Sequence, residues 1–183
     1  GAGDHGMAAT PTGTGGFLEG NYLVTYIQYT GAVTPRSLSI IANNVNKTYG
    51  TTLTDGSCSA CFTAIGLQNG ETIGSMTAVY GSGAAATAPV GTYIGQITLS
   101  NPTGGTYSPS NYTITTNLTG NIIVIPASLT ITARKINKFF GATLTGGPGS
   151  TAYTPTGLQN GETTGSVTIT YGTGAAAGDA VGT

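Results

Sequence analysis

The sequence repeats itself with a period of 91 residues, and this repeat constrains the fold more than any other feature. Residues 37–92 align with residues 128–183 without a gap, and 32 of the 56 pairs are identical. The segment Gly-Leu-Gln-Asn-Gly-Glu-Thr at 66–72 returns unchanged at 157–163. Self-similarity over this length predicts tandem domains of one fold rather than a single mixed enzyme domain.

The two copies differ in how far they extend. Residues 93–127 continue the first copy beyond the aligned part, and the second copy has no counterpart of them. The start of the chain resembles this last third of the repeat. Asn-Tyr-Leu-Val-Thr-Tyr at 21–26 parallels Asn-Tyr-Thr-Ile-Thr-Thr at 111–116, and Pro35 precedes the first copy as Pro126 precedes the second. The sequence therefore predicts a repeat that is split between the two ends of the chain.

This arrangement predicts three segments. The last third of the repeat is close in length to the N-terminal segment, so the N-terminal segment of one chain can complete the second repeat of another. We therefore expect an N-terminal arm with the tail strands of a split repeat (1–36), a complete repeat domain (37–127) and a partial repeat domain (128–183) that the arm of a neighbouring chain completes.

The composition excludes several classes of function. Only 6% of residues are charged, against about 25% in ordinary globular proteins, and the net charge is −1, so the chain lacks a basic footprint for nucleic acid. No apolar run approaches the roughly 18 residues of a membrane span, so we expect no membrane insertion. Solubility rests on the hydroxyls and amides of a Thr- and Gly-rich chain, which is typical of secreted β proteins. We therefore expect an extracellular or cell-surface location.

Strand signals recur along the whole chain. β-branched residues and tyrosines alternate with Gly, Asn and Pro breaks, and no segment has a convincing helical period. Asn-Gly at 69–70 and at 160–161 are strong tight-turn signals, because both central residues of a type I′ turn have positive φ. The fold class we predict is all-β, with tandem small β-sandwich (Ig-like) repeat domains; the alternative is a β-grasp-like domain with one short helix around 68–72. Strands are predicted at 22–29, 37–42, 60–65, 73–80, 92–99, 111–117, 121–125, 128–134, 151–156 and 164–171.

Four motifs in fixed order give the chain a family resemblance. They are Lys-Thr-Tyr-Gly at 47–50, Gly-Leu-Gln-Asn-Gly-Glu-Thr at 66–72, Val-Gly-Thr-Tyr at 90–93 and Asn-Tyr-Thr-Ile at 111–114. This combination resembles the MBG repeat family, of the type with a Tyr-Gly signature. Such repeats occur in tandem in large bacterial surface and secreted adhesin-like proteins. The resemblance implies a structural repeat of an extracellular protein, with no catalytic residues to transfer.

Cys58 and Cys61 form a Cys-x-x-Cys pair. The second copy has Gly149 and Ala152 at these positions, so the fold does not require the cysteines. Two Cys and one His cannot supply a four-ligand zinc site, and the thioredoxin-like βαβ context of a redox motif is missing. We therefore predict a disulfide, which extracellular conditions favour, with free thiols as the alternative.

Three polar residues of each copy are the types needed for an autocatalytic Lys–Asn isopeptide bond, which surface adhesins use as a staple. They are Lys47, Asn69 and Glu71 in the first copy and Lys138, Asn160 and Glu162 in the second. The chemistry needs a buried Lys with a lowered pKa beside a carboxylate. We prefer the simpler interpretation, in which Lys47 is a solvated charge at a strand end and Asn69 and Glu71 belong to a turn.

The remaining polar residues indicate no enzyme, metal site or cofactor. The six acidic residues are scattered without calcium-loop spacing, and the single histidine, His5, stands in a Gly-rich arm away from any nucleophile pattern. We therefore predict a protein that is not an enzyme and binds no cofactor. Three Asn-x-Thr sequons make candidate glycan acceptors of Asn46, Asn111 and Asn117.

Two structural functions fit these observations. In the first, the chain is a subunit of an extracellular filament whose copies join head to tail by β-strand complementation. In the second, it is an excised stalk segment of a large bacterial adhesin. A glycan- or ice-binding surface module, suggested by alternating Thr on the strands, is a weaker third interpretation, with a host or matrix glycan as the partner. The polymerisation strand of the first hypothesis comprises Tyr22, Leu23, Val24, Thr25, Tyr26 and Ile27.

Overall fold

The computed structural model describes residues 3–7, 15–16, 19–25, 27 and 29–182, and over these residues the protein is all-β. This confirms the predicted fold class, with β-sandwich-like character, and no α-helix occurs in the described part of the chain. Two short 3-10 helices span Glu19–Asn21 and Pro109–Asn111. The strands are β1 (Gly3–Met7), β2 (Tyr29–Val33), β3 (Arg36–Ala42), β4 (Val45–Thr48), β5 (Gly56–Cys58), β6 (Phe62–Ile65), β7 (Ile73–Tyr80), β8 (Gly91–Gly105), β9 (Tyr112–Leu118), β10 (Gly120–Ile125), β11 (Thr130–Ala133), β12 (Gly147–Ser150), β13 (Tyr153–Thr156) and β14 (Val167–Ile169).

The chain folds into two compact units that are discontinuous in sequence. The first comprises the described residues up to Val45 together with Asp55–Tyr80 and Ile94–Asn121. The second comprises Asn46–Thr54, Gly81–Tyr93 and the described residues from Ile122 onward. The domain boundaries that the sequence repeat suggests stay a prediction.

A three-stranded sheet of order β6-β3-β9 lies in the first unit. β3 pairs antiparallel with β6 and parallel with β9, so both of its edges are hydrogen-bonded. Every second residue at the end of β3 is buried, namely Leu38, Ile40 and Ala42. This period of two follows from the alternation of side chains across a strand whose one face is covered.

A five-stranded sheet has the order β4-β10-β8-β7-β5. β7 pairs antiparallel with β5 and with β8, and β4, at the edge, has β10 as its neighbour. A register shift interrupts the β7–β8 ladder between Ser75 and Thr77. The buried apolar residues of this sheet are Ile73, Met76 and Ala78 on β7, Ile97 and Leu99 on β8, and Ile122 and Val124 on β10.

The second repeat reproduces only part of this topology. β11 pairs with β13 as β3 pairs with β6, and Thr130 faces Thr156 where Ser39 faces Ile65 in the first repeat. β12 pairs with β14 as β5 pairs with β7, and Gly147 faces Ile169 as Gly56 faces Ala78, but a register shift follows before Ser150. Each of these is a two-stranded sheet in the described residues. The described second repeat therefore has counterparts of β3, β5, β6 and β7 and none of β4, β8, β9 or β10.

The N-terminal segment differs from the sequence expectation. β1 and β2 form an antiparallel two-stranded sheet in which Gly3 faces Val33, and the sequence gives no strand signal for β1. The predicted strand at 22–29 is wrong over residues 22–25 and 27, because Tyr22 lies in a bend and the others are irregular, while its last residue, Tyr29, begins β2. A strand needs a ladder partner, and both edges of β3 are already paired, with β6 and β9.

The other predicted strands are confirmed in position, and the turns are confirmed in geometry. The strand predicted at 73–80 matches β7 over its full length, while β4, β5 and β12 lie where no strand was expected. At both Asn-Gly pairs the two residues have positive φ, with φ 53° at Asn69 and at Asn160. The N–H of the following glutamate donates to the glutamine carbonyl three residues earlier in each copy. The residues around 68–72 therefore form a tight turn and not the short helix of the alternative fold.

Candidate functional site

A groove of about 600 Å³ opens on the second repeat. Two stretches, 133–140 and 169–175, form its walls, and Leu144 and the residues 179–182 complete it. All of these residues lie in the second compact unit. The origin of this groove in the fold determines what it can bind.

The first repeat shows what belongs in this groove. Residues 136–139 are the counterpart of β4, and β14 is the counterpart of part of β7. In the first repeat two strands, β10 and β8, lie between β4 and β7. At about 4.8 Å per strand spacing, β4 and β7 in such a sheet are about 14 Å apart, which leaves room for two strands between them. The groove is therefore the place of two absent strands of the repeat.

Burial of matched residues shows the same deficit. Leu38 and Ile40 are both 0% exposed, whereas their counterparts Leu129 and Ile131 are 48% and 44% exposed. The side chains are chemically identical, so the difference comes from the strands that the second repeat lacks. Phe139 and Phe140 beside the groove are also exposed. The second repeat thus presents an apolar core face that the first repeat buries.

The backbone responds to the missing strands as well. Residues 45–48 form β4, yet the matched residues 136–139 have no regular structure. β10 is the ladder neighbour of β4, and its counterpart is absent from the described second repeat. The stretch 136–139 is therefore a strand sequence without a partner, and its peptide groups are available to an incoming strand.

One lysine in each repeat connects two neighbouring loops by hydrogen bonds to their backbone carbonyls. Lys47 Nζ donates to the carbonyls of Thr51 and Ala85, at 2.7 and 2.5 Å. In the second repeat, the matched Lys138 Nζ donates to the carbonyls of Ala142, at 3.2 Å, and Ala176, at 2.6 Å. Lys47 is 5% exposed, and burial lowers the pKa of its ammonium group. The expectation that Lys47 is a solvated charge is wrong; it is a buried brace between two loops.

The N-terminal segment contains secondary-structure elements of the same kind and order as the last third of the first repeat, which has no counterpart in the described second repeat. The first 3-10 helix, Glu19–Asn21, leads into Tyr22 as the second, Pro109–Asn111, leads into Tyr112. At the repeat spacing of 91 residues, β2 corresponds to β10 and β1 falls within the counterpart of β8. β1 and β2 are hydrogen-bonded neighbours, as β8 and β10 are. The segment thus has the sequence strand, 3-10 helix, strand that the second repeat lacks.

The predicted polymerisation strand lies between these pieces. Leu23 is 98% exposed and Ile27 is 85% exposed, and Tyr22 and Thr25 are also exposed. Val24 is half-buried, and Tyr26 lies outside the described residues. These residues match the part of β9 that pairs with β3, so large apolar side chains stand in solvent at positions whose counterparts belong to a sheet.

Cys58 and Cys61 are joined by a disulfide in the structure, with their Cα atoms 5.8 Å apart. The bond links the end of β5 to the loop before β6. The second repeat makes the corresponding strands β12 and β13 with Gly149 and Ala152 at these positions. The loop therefore forms with or without the bond.

The residues of the isopeptide hypothesis have other partners. Asn69 occupies the left-handed position of its turn, and Glu71 accepts a hydrogen bond from the hydroxyl of Tyr112. In the second repeat Asn160 Nδ2 donates to Ala86 O at 3.1 Å, and Glu162 accepts from Tyr49. The turn interpretation therefore accounts for these side chains.

The three sequon asparagines differ in their surroundings. Asn46 is exposed on β4. Asn117 uses Nδ2, the atom that would carry a glycan, to donate to Leu99 O at 2.9 Å, and the Oδ1 of Asn111 is buried without a hydrogen-bond partner among the described residues. Asn46 is thus the sequon most open to modification, and glycosylation stays a prediction.

Searches for other kinds of site find little in the described residues. No group of three or more His, Cys, Asp or Glu residues comes together there in a way that could hold a metal ion. No described helix has the length and apolar character needed to cross a membrane. Comparison of the chain with protein-family models, curated proteins and solved structures gives no significant match. The resemblance to MBG repeats stays an expectation from its four motifs.

Sequence reasoning named the arm and missed the residues that would receive it. Leu129, Ile131, Phe139 and Phe140 stand out once their exposure is compared with the first repeat. A signal for two of them was present in the repeat alignment, since Leu129 and Ile131 match Leu38 and Ile40 at a strand with alternating apolar residues. Their exposure depends on strands that the alignment shows to be missing.

Proposed function

We propose that this protein is an extracellular structural protein and a subunit of a filament. In the filament, residues 1–36 of one copy occupy the groove of the second repeat of the next copy. The observation that carries the proposal is the contrast between Leu38, fully buried, and Leu129, 48% exposed at the same position of the repeat. The strands that distinguish the two repeats correspond to elements of the N-terminal segment.

The first repeat supplies the expected geometry of the joint. β9 lies parallel to β3, with Leu38 facing Ile114, so the stretch 22–28 would lie parallel to β11. β10 is the neighbour of β4, so β2 would pair with 136–139 and turn it into a strand. Strand addition to an exposed edge supplies main-chain hydrogen bonds, and alternate side chains supply specificity.

Apolar burial provides the driving force. Covering Leu129 and Ile131 with Val24 and Ile27 of the arm contributes about 1.5–3 kcal/mol for each side chain that becomes fully buried. Ordering the arm costs about 1–2 kcal/mol per residue for the backbone, and the ladder hydrogen bonds and apolar contacts together must offset this cost. A whole strand has to leave at once for the joint to open, so dissociation is slow.

The contact is heterologous, because the arm of one copy meets the groove of another. Such a contact leaves one arm and one groove unused at the two ends of every open oligomer, so further copies add there and a filament grows unless the rotation closes a ring. The disulfide between Cys58 and Cys61 supports an oxidising compartment outside the cytosol. The resemblance to tandem surface repeats supports the same location.

The same exposed face favours one other function. In a stalk segment of a longer adhesin, a following stretch of the same chain would cover Leu129 and Ile131 in place of a neighbour's arm. Both functions need the face to be covered, and they differ in which chain covers it.

Two measurements on the protein from its natural source test the proposal. Intact mass gives the length of the native chain, and negative-stain electron microscopy together with size-exclusion chromatography gives its state of assembly. We expect filaments of non-covalently joined copies of this chain. A longer native chain that stays monomeric would favour the stalk segment and would contradict the filament.

A further inference from the structure

A turn of the second repeat packs against a loop of the first repeat, and both lie in the second compact unit. The turn is 157–163, and a Cβ at Gly50 would stand 2.6 Å from Cγ of Gln159, so the glutamine side chain lies directly on the glycine. Asn160 Nδ2 donates to Ala86 O at 3.1 Å. We call the pair Gly50 and Ala86 the turn socket of the first repeat, because it holds the turn of the repeat that follows.

The second repeat has a turn socket of the same construction. Gly141 and Ala177 match Gly50 and Ala86, and in each repeat the glycine N–H donates to the alanine carbonyl at 3.1 Å. The value of φ is 92° at Gly50 and 86° at Gly141. The backbone of the turn socket is therefore alike in the two repeats, whether or not a turn is bound there.

The turn socket of the second repeat is open in the part of the chain that the structure describes. A Cβ at Gly141 would meet no described atom within 4 Å, apart from its chain neighbours, whereas at Gly50 it would meet Gln159. Phe140, the counterpart of Tyr49, is 69% exposed, while Tyr49 is half-buried. The second repeat thus presents to solvent a surface that the first repeat covers with a turn.

The first repeat carries the turn that fits this surface. The turn 66–72 has the same sequence as 157–163, and φ is 53° at Asn69 as it is at Asn160. Gln68 Nε2 donates to the carbonyl two residues earlier, as Gln159 Nε2 does. Gln68 and Asn69 are exposed, whereas Gln159 is half-buried. The turn 66–72 is therefore already shaped for the contact and accessible.

We propose that the turn 66–72 of the next copy docks in the turn socket of the second repeat. In this contact Gln68 of the next copy lies on Gly141, and Asn69 Nδ2 of the next copy donates to Ala177 O. The inference rests on the proposed filament, in which the arm of the next copy completes the second repeat and leads directly into that copy's first repeat. The order of repeats across the joint is then the order found within one chain.

The two contacts differ at one hydrogen bond. Glu162 accepts the hydroxyl of Tyr49, and Phe140, the counterpart of Tyr49, has no hydroxyl to donate. Glu71, the counterpart of Glu162, already accepts the hydroxyl of Tyr112 in its own repeat. The Glu71 carboxylate therefore needs no donor from Phe140, whose ring supplies an apolar surface for the docked turn.

A cross-linking experiment tests the contact between copies. The substitutions Gln68→Cys and Gly141→Cys in one chain place two thiols on opposite sides of the proposed contact. We expect a ladder of disulfide-linked multimers on a non-reducing gel, whereas either substitution alone gives no species beyond a dimer. Gly50→Cys with Gln159→Cys is the matched control, because the same pair lies within one chain there and should close as an intramolecular bond that leaves monomers on the gel.

A second variant tests the hydrogen bond of Asn69. Asn69→Gly removes the amide donor and keeps the positive φ, which glycine adopts without strain. Sedimentation velocity over a range of concentrations gives the dissociation constant of the joint, and we expect it to rise about threefold to tenfold. Asn101→Gly is the control, since Asn101 has φ 50° and lies on β8, outside the proposed contact.

The outcomes separate this inference from the filament itself. A double-cysteine chain that assembles in reductant and gives no ladder on oxidation, while the control pair closes, would overturn the docked turn and leave the filament standing. Equal dissociation constants for Asn69→Gly and Asn101→Gly would overturn the hydrogen bond to Ala177. Failure of the unchanged chain to assemble at all would overturn both the docked turn and the filament.

Discussion

Leu38 and Leu129 occupy the same position of the two repeats, yet Leu38 is 0% exposed and Leu129 is 48% exposed. β3, which carries Leu38, has strands on both edges, whereas β11, beside Leu129, has β13 on one edge. An identical side chain at matched positions of the repeat therefore indicates which strands are present around it. The open groove follows from this comparison, and so does the requirement that something covers it.

The different burial of Lys47 and Lys138 predicts that replacing each by Met lowers the free energy of unfolding by different amounts. Lys47→Met should lower the free energy of unfolding by about 2–4 kcal/mol, because the carbonyls of Thr51 and Ala85 lose their donor inside the protein. Lys138→Met should cost less than about 1 kcal/mol, because Lys138 lines an open groove from which water can replace its ammonium group at the two carbonyls. Urea denaturation of the two variants measures both values. Equal costs would show that burial does not distinguish the two braces.

The Tyr112 hydroxyl predicts a loss of stability at high pH. Its hydrogen bond to Glu71 and its burial raise the pKa of Tyr112 above the ordinary value of 10.0. The protonated form is therefore favoured in the folded state, so this contribution is fully present below pH 10.0 and is lost as the pH rises through the folded pKa.

Tyr112→Phe isolates this effect, since other groups such as Lys47 titrate equally in both proteins. The difference in thermal stability between the unchanged chain and Tyr112→Phe should be constant near neutral pH and should shrink above pH 10. A difference that stays the same up to pH 12 would contradict the raised pKa.

A matched pair of glycines tests the close packing beside β7. Gly105 has φ 73°, and a Cβ there would stand 2.1 Å from the backbone oxygen of Thr72. Gly161 has φ 75° and no atom within 4 Å of the same position. Both alanine substitutions pay backbone strain of about 1–2 kcal/mol, and Gly105→Ala should cost at least about 1 kcal/mol more because the main chain must move. Thermal unfolding of the two variants decides this, and equal melting temperatures would refute it.

The disulfide is expected to add little stability. Cys58 and Cys61 close a loop of only a few residues, so the chain entropy removed from the unfolded state is small. Replacing both by Ser should lower the free energy of unfolding by less than about 1 kcal/mol. Thiol labelling of protein that has not met a reductant should find no free thiol before denaturation in reductant. Complete labelling beforehand would show that the thiols are free.

Local sequence was sufficient for the strands that carry a regular apolar alternation and for the two turns. β7 and the Asn69 turn are examples, because the alternation and the Asn-Gly pair act within a few residues. It was insufficient for β4, whose four residues include Lys47, a residue type that rarely enters a core. β4 exists because β10, far away in sequence, pairs with it.

The N-terminal arm also shows that local sequence is insufficient to predict its strands. The stretch 22–27 has strand composition, yet its described residues form no strand. β1 has almost no strand composition and forms a strand because β2 faces it. Secondary structure in this chain therefore depends on pairing, and the candidate site is a stretch where pairing is incomplete.

Mixing two blocked variants tests the central claim most directly. One variant lacks residues 1–34, which removes the arm and leaves β3 whole; the other carries Leu129→Glu and Ile131→Glu, which places charges on the open face and leaves the arm intact. Each alone has one half of the joint, so each should be a monomer by sedimentation velocity, while an equimolar mixture should form a 1:1 complex and nothing larger. The unchanged chain should form long polymers under the same conditions. A mixture that stays monomeric beside a polymerising unchanged chain, or an unchanged chain that stays monomeric itself, would contradict completion of the second repeat by the arm of a neighbouring copy.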